Sequence, residues 1–394
     1  MGHVARTLTI VRHLLAAYPD TVAYIATESP VTTEFSLPRG CDYVKLPTHW
    51  LSWADHEAVT QHLQDGRARL LREIALELAP DLVLVDHEPV GHKGEFRSGL
   101  FALKAQCPST KFVFGLRDIM DDASRIRAQW QELGAYEALE SLYDGIAVYG
   151  ERSLYDVADA CDFPPSIRSK LHYCGYIVRE PPRVDGDDLR QRYGLTQAGP
   201  LVVATVGGGS DGYPVLAATL DALDRLRAAH PNLNAILVTG PLMPARQQTT
   251  LRARAEAGRR IVTRADNFQL VSAADAVVSM GGYNSVCEAL FAGKPLVIVP
   301  RVVTKIEQQI RAETMAANGL ARWVHPRDLS GKTLAEALDW ALRRDQGVHA
   351  QRVREVIPSF DGAAALTAYL GQWLGNGHAP LPSQQELVSV KQAA

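Results

Sequence analysis

Short apolar runs alternate with amphipathic helical stretches along nearly the whole chain, and that alternation leaves few folds open. Runs suited to strands fall at residues 21–27, 42–46, 81–86, 111–116 and 144–148, and again at 201–206, 234–239, 260–263, 274–279 and 295–299. Helical patterns such as 57–78 and 214–229 separate them. Strand and helix in alternation imply parallel sheets joined by right-handed crossovers. Continuous Val, Ile and Leu, without polar residues at every second place, mark strands covered on both faces. The rhythm breaks once, at the polar, proline-bearing stretch Arg179-Glu180-Pro181-Pro182-Arg183-Val184-Asp185-Gly186-Asp187-Asp188, which reads as a linker. The expected architecture is therefore α/β, two doubly wound Rossmann-like domains facing across a cleft. They span residues 1–182 and 190–374, and 375–394 form a loose polar tail.

The opening is unusual. Met1-Gly2-His3-Val4-Ala5-Arg6-Thr7-Leu8 enters a helix at once. A doubly wound domain ordinarily opens with a strand that comes to lie centrally in its sheet, and here that first strand is missing. Either the native start lies upstream of Met1 or the domain is atypical. A sheet without a central strand leaves backbone groups in need of partners. The expectation is a protein of low stability or solubility, which a monodisperse sample with a high melting temperature would contradict.

Bulk properties narrow the class. The 394 residues are 46% hydrophobic and 22% charged, with a net charge of −3. That is an ordinary globular composition with room for two or three domains and no bias toward a nucleic-acid partner. The five cysteines are Cys41, Cys107, Cys161, Cys174 and Cys287, scattered and without a CxxC pair, so neither a disulfide framework nor a zinc site is signalled. A reducing cytoplasm is the expected home. No apolar run reaches the roughly 18 residues of a membrane span, which leaves peripheral membrane contact open, and no leader is visible.

One segment carries the strongest chemical signal. Ser279-Met280-Gly281-Gly282-Tyr283-Asn284-Ser285-Val286-Cys287-Glu288-Ala289-Leu290 lies between two apolar runs and reads as strand, glycine turn, helix. Adjacent glycines let the backbone approach a ligand closely. Asn284 or Ser285 can cap the helix, whose opening amides attract an anion. Glu288 follows about one turn further in. A phosphate site with a carboxylate beyond it suits a nucleotide, with pyrophosphate on the helix end and ribose hydroxyls on the acid. A second glycine turn, Val206-Gly207-Gly208-Gly209-Ser210-Asp211-Gly212, closes the first strand of the same domain, where ligands of open parallel sheets collect. It lacks the GxGxxG spacing of a dinucleotide fold, but two such turns in one domain point to a nucleotide site. After Pro300, Glu307 and Gln308 set a carboxylate beside an amide, a pairing suited to sugar hydroxyls that both donate and accept.

With these motifs in view, the second domain resembles the donor half of a GT-B glycosyltransferase, and most of all the family that includes the peptidoglycan N-acetylglucosaminyltransferase (the family 28 type of C-terminal domain). The matching stretch is 203–324, carrying the glycine turn, Gly281-Gly282, Glu288, Gly293-Lys294-Pro295 and Glu307-Gln308. The resemblance implies that Gly208, Gly209, Ser210, Gly281, Gly282, Asn284 and Ser285 surround the diphosphate, that Glu288 holds the ribose and that Glu307 and Gln308 hold the donor sugar. Residues 263–268, ending at Phe268, would frame the base. The first domain resembles an uncharacterised group of predicted glycosyltransferases. The matches are Gly2-His3-Val4-Ala5-Arg6, Val85-Asp86-His87-Glu88-Pro89-Val90-Gly91, Gly115-Leu116-Arg117-Asp118-Ile119 and Val148-Tyr149-Gly150.

In such enzymes a glycine–histidine pair opens the first helix, and its imidazole serves as general base on the acceptor hydroxyl. Histidine suits that task because its pKa lies near working pH. His3 is the first candidate, while Asp86 and His87 form a second polar cluster that supplies or orients the base. Asp86 could instead cap the following loop. Arg117-Asp118 reads as a structural ion pair or an acceptor contact. His49, Trp50 and Trp53 offer aromatic faces for an acceptor, or core packing. Retaining GT-B enzymes often carry a carboxylate eight residues before the ribose glutamate, and here that place is Met280. The expected reaction is inverting transfer of a sugar from a UDP- or dTDP-sugar to the hydroxyl of a small-molecule or lipid-linked acceptor. No Asp-x-Asp signature sits at a strand end, so transfer is expected to be metal-independent, with no cofactor. Arg301 or Lys305 could assist the leaving diphosphate. Three rivals share the architecture: a nucleotide-sugar hydrolase of the pseudaminic-acid-pathway type, a nucleotide-sugar 2-epimerase and a non-catalytic nucleotide-sugar-binding protein. The sugar, the base and the acceptor stay open at the level of sequence.

Overall fold

The computed structural model describes residues 2–29, 35–48, 57–183, 185–195, 199–303 and 305–374. The expected tail at 375–394 and the aromatic loop residues His49, Trp50 and Trp53 lie outside the described residues. The chain divides into two units, Met1–Ile177 with the segment from Asp361 onward, and Val178–Phe360.

The first unit opens with the helix Gly2–Ala17, as the sequence predicts. Its strands are β1 (Ala23–Thr27), β2 (Cys41–Lys45), β3 (Leu82–Asp86), β4 (Lys111–Arg117), β5 (Gly145–Tyr149) and β6 (Leu171–Tyr173). They form two parallel sheets rather than one: β1 with β2, and β3-β4-β5-β6. Among the described residues β1 pairs only with β2, and β3, which ends the larger sheet, pairs only with β4. This is the arrangement expected of a doubly wound domain without its first strand. Burial follows the pairing. β5 is buried throughout and β4 at every residue but its first, whereas Leu82, Val83 and Leu84 of β3 are only half-buried. Phe112, Phe114, Leu116, Ile146 and Val148 form the centre of the core with Leu100, Leu103 and Trp130 from the covering helices.

The second unit holds β7 (Leu201–Thr205), β8 (Asn234–Val238), β9 (Arg259–Val262), β10 (Ala276–Ser279), β11 (Leu296–Ile298) and β12 (Ala321–Trp323). All pair in parallel in the order β12-β11-β10-β7-β8-β9. The chain runs outward from β7 through β8 and β9, then returns to lay β10 on the other side of β7. The strand order therefore reverses between β7 and β10, and ligands of such sheets bind at the carboxyl ends of the strands on either side of that point. The register places Thr205 beside Ser279, so the two glycine turns leave from adjacent strand ends.

One expected boundary needs correction. Residues 361–374 were placed with the second domain, but the helix Gly362–Gly371 packs with the first unit. Tyr369 stacks on His172 with ring centroids 4.2 Å apart, and Gly371 leaves the space taken by the Tyr18 hydroxyl. The helix buries Ala363, Leu366 and Leu370. Its apolar face finds cover against the first helix and β6, which no local pattern could announce.

Candidate functional site

In the second unit the site forms around the helix Tyr283–Phe291. Ser279 ends β10, and its hydroxyl accepts the Gly281 amide at 3.2 Å. Gly281 then turns the chain with φ +81°, a conformation costly for any residue with a Cβ. A Cβ at Gly281 would also stand 2.9 Å from Ile298 Cγ2 and 3.3 Å from the Gln308 carbonyl oxygen. Gly282 occupies the cap position, and no side chain caps the helix. The expectation that Asn284 or Ser285 would cap it is thus corrected: the chain turns at Gly281, so helix begins at Tyr283 and both residues fall within its first turn. The mouth keeps its positive end available to an anion. Behind it the guanidinium of Arg311, 1% exposed, donates to the Gly281 carbonyl at 2.9 Å.

The glycine turn after β7 is held from the side. Gly209 has φ +91°, and a Cβ there would lie 1.8 Å from the Thr239 carbonyl oxygen at the end of β8. Gly208 and Ser210 are carried on this turn, Ser210 exposed and Gly208 half-buried. Asp211 continues the turn and accepts from Arg301 Nη2 at 2.7 Å. Arg301, read as a cation for the diphosphate, is therefore engaged by a carboxylate. Its backbone amide donates to Gln308 Oε1 at 2.9 Å, which fixes the Gln308 side chain beside the β11 exit. Glu307 is the first residue of the helix Glu307–Ala317, half-buried at that same end of the sheet.

Glu288 is 13% exposed and bonds Arg179 Nε through Oε1 at 3.1 Å. Burial pushes its carboxyl up from the ordinary value, Arg179 opposes that rise, and Asp266 adds to it. Arg179 also engages both oxygens of Asp266 and lies over the Phe268 ring, 5.1 Å from its centroid. Phe268 was expected to frame a base. It is fully buried against Phe291, so its ring presents no open surface and the Arg179 guanidinium lies over it instead. Met280, at the place where a second carboxylate would stand, is buried.

The first unit gathers the three residues singled out as catalytic. Arg6 donates to both oxygens of Asp86, at 3.0 and 2.7 Å, and His3 Nδ1 lies 3.3 Å from Asp86 Oδ2. The rings of His3 and His87 are 5.0 Å apart. His87 adopts φ +77°, a strained state for a residue with a side chain, and Arg117 Nη2 reaches its ring at 3.2 Å. A chain of packing holds this cluster. Gly115 on β4 leaves space that the Tyr149 hydroxyl fills, since a Cβ there would come within 2.0 Å of it. Tyr149 supports Arg6, whose guanidinium carbon is 5.5 Å from the ring centroid, and Arg6 holds Asp86. Asp86 thus positions a histidine rather than capping a loop. Burial alone would raise the Asp86 carboxyl, but Arg6 and the two histidines hold it well below the usual carboxylate range. Burial lowers the His3 pKa; the Asp86 bond opposes this, while Arg6 and Arg117 reinforce it. His3 is therefore neutral at pH 7. With its proton on Nδ1 facing Asp86, Nε2 carries the lone pair. Asp118, expected to pair with Arg117, accepts from the Tyr176 hydroxyl and the Ile119 amide, both at 2.7 Å.

Arg6, Tyr149, Asp211, Asp266 and Arg179 were not foreseen. Arg6 carried one usable signal, its place three residues after His3 on the same helix face. Arg179 carried none.

Comparison with known proteins bears on both units. Residues 203–357 match the family model of the glycosyltransferase family 28 C-terminal domain. The second unit carries that domain. An uncharacterized glycosyltransferase of Methanopyrus kandleri is 24% identical over 228 residues, covering 52% of this chain and 62% of the relative. One from Methanosarcina acetivorans is 23% identical over 218 residues, 54% of this chain and 52% of the relative. The chain thus spans little more than half the length of these curated relatives. Among solved structures, the calicheamicin glycosyltransferase CalG4 superposes with a TM-score of 0.63 at 18% identity, covering 95% of this chain and 96% of its own. Os79 of O. sativa, solved with UDP, gives 0.66 at 13%, covering 94% and 98%. The fold is GT-B, and family model, relatives and neighbours together support a glycosyltransferase, as the sequence resemblance implied.

Proposed function

We propose that this chain transfers a sugar from a UDP- or dTDP-sugar to an acceptor hydroxyl, with inversion and without a metal ion. One observation carries the reading: the helix mouth at Gly281–Gly282 and the carboxylate of Glu288 follow one strand at the reversal point of a parallel sheet, inside the family 28 domain. The diphosphate is held at that mouth, where the helix dipole and backbone amides offset the charge that grows as it leaves. Glu288 holds the ribose, and Glu307 and Gln308 hold the sugar, as the family resemblance implies. His3 Nε2 takes the acceptor proton, with Asp86 fixing the ring and stabilising the imidazolium. The absence of a carboxylate at Met280 supports the inverting route. Neighbours solved with UDP support the nucleotide, and the acceptor is a small molecule or a lipid-linked hydroxyl compound. No helix among the described residues is long and apolar enough to cross a membrane, and the five free cysteines fit a reducing cytoplasm.

A thermal-shift panel of nucleotides and nucleotide sugars in EDTA tests this, because a ligand of the native state raises its melting temperature with the logarithm of concentration over Kd. UDP or dTDP compounds are expected to give the largest shifts, lost in Glu288→Ala. A flat response would refute the donor site. Free sugar released at a catalytic rate with water alone would favour a hydrolase. Binding without turnover on any acceptor would leave a nucleotide-sugar-binding protein.

A further inference from the structure

Arg179 lies just past Ile177, where the first unit's leading segment ends, in the polar stretch read from sequence as a plain linker. Its side chain has a more specific task. Asp266 caps the helix Asn267–Ala273, accepting the Phe268 and Gln269 amides, and is thereby fixed to that helix. Both Asp266 oxygens take the Arg179 guanidinium, and the Phe268 ring lies beneath it. Only the remaining donor, Nε, reaches Glu288, and among the described residues it is the only group bonded to that carboxylate, at Oε1. Most of the contacts of Arg179 are thus with Asp266 and Phe268, and one is with Glu288.

We propose that Arg179 is a positioning residue for ribose recognition: anchored on Asp266 and Phe268, it pins Glu288 by Oε1 and turns Oε2 toward the ribose hydroxyls. The inference rests on the nucleotide-site reading above and names a residue that reading does not contain. The anchoring argues against the opposite role, a plug that a ligand must push aside. A plug would depend mainly on Glu288, whereas this guanidinium would keep a two-oxygen carboxylate partner and an aromatic face if Glu288 were removed. A fixed donor on one carboxylate oxygen selects a single rotamer of a side chain that otherwise samples several, so the ribose meets a preorganised acceptor.

The test compares UDP with 2′,3′-dideoxyuridine diphosphate by calorimetry on the full chain and on Arg179→Met, Arg179→Gln and Arg179→Lys. The full chain is expected to prefer UDP. Arg179→Met and Arg179→Gln weaken UDP by about tenfold or more, the scale of one charge-assisted hydrogen bond, while the dideoxy compound changes little, so the preference for ribose collapses. Arg179→Lys restores part of it. A merely structural role would weaken both ligands alike. Unchanged ribose preference in a folded Arg179→Met or Arg179→Gln protein overturns the proposal, and so does tighter UDP binding, which would make Arg179 a plug. If the unsubstituted chain binds neither compound, the nucleotide site itself fails; if it binds UDP and the substitutions do nothing, only the role of Arg179 fails.

Discussion

Two adjacent glycines at the helix mouth allow fold and ligand contact to be separated. Gly281→Ala meets two obstacles. The residue sits at φ +81°, which costs an L-residue about 1–2 kcal/mol. The added methyl would stand 2.9 Å from Ile298 Cγ2 and 3.3 Å from the Gln308 carbonyl, in a fully packed corner. Overpacking of that kind costs roughly 1–3 kcal/mol. The sum is about 2–5 kcal/mol. Gly282→Ala meets neither obstacle: its φ is −63° and no atom lies within 4 Å of the new methyl. Ala is a poorer cap than Gly, but by roughly 0.5 kcal/mol or so.

The assay is a thermal melt of each variant, followed by a UDP titration. At roughly 2–4 °C per kcal/mol for a domain of this size, Gly281→Ala should melt about 4–20 °C lower and Gly282→Ala within about 2 °C of the parent. Gly282→Ala should nonetheless weaken UDP about tenfold or more, because its methyl fills the space through which the diphosphate approaches the backbone. Undiminished UDP binding by Gly282→Ala would show that no phosphate approaches there, and the donor site would have to be sought elsewhere. An unchanged melting temperature for Gly281→Ala would refute the steric account of the turn.

Acid–base behaviour supplies two more tests. Because the His3 pKa is depressed and the base form is needed, kcat/KM should be flat near pH 7 and fall only below pH 6.5; Asp86→Asn, which removes the groups that raise His3, should move that limb to still lower pH and cost about 10²-fold or more, with UDP affinity unchanged. An acid limb above pH 6.5, or full activity in His3→Ala, would remove His3 from the mechanism. His349 is fully buried, and burial with Arg344 pushes its pKa down to about 4 from 6.5. Between those values the unfolded chain binds more protons than the folded one, so stability falls as pH drops from 6.5 to 4, by about 3 kcal/mol at about 1.36 kcal/mol per pH unit. His349→Leu should flatten that part of the melting curve, and an unaltered slope would show that other groups set it.

What the sequence could and could not show follows from the range of each interaction. The central strands were legible because burial on both faces demands an unbroken apolar run, as Val202, Val203 and Ala204 of β7 illustrate. β6 and β12 were not, because Leu171-His172-Tyr173 and Ala321-Arg322-Trp323 are edge strands of three residues that carry a polar side chain at their centre. The cap was misplaced for a different reason. Asn284 and Ser285 are good caps by residue type, yet the left-handed turn at Gly281 starts the helix before the chain reaches them. Backbone geometry there outweighs side-chain preference. The catalytic residues of the first unit were legible because His3, Asp86 and His87 each sit at an element end, where doubly wound sheets place their chemistry. The groups that hold them were not, since Tyr149 reaches Arg6 only after β4 and β5 have paired and Gly115 has left it room. Arg179 and Glu288 are 109 residues apart, and their bond depends on a helix cap at Asp266 that neither residue's neighbourhood predicts. Local rules therefore locate the chemical groups, while the contacts that aim those groups arise only once distant segments have met.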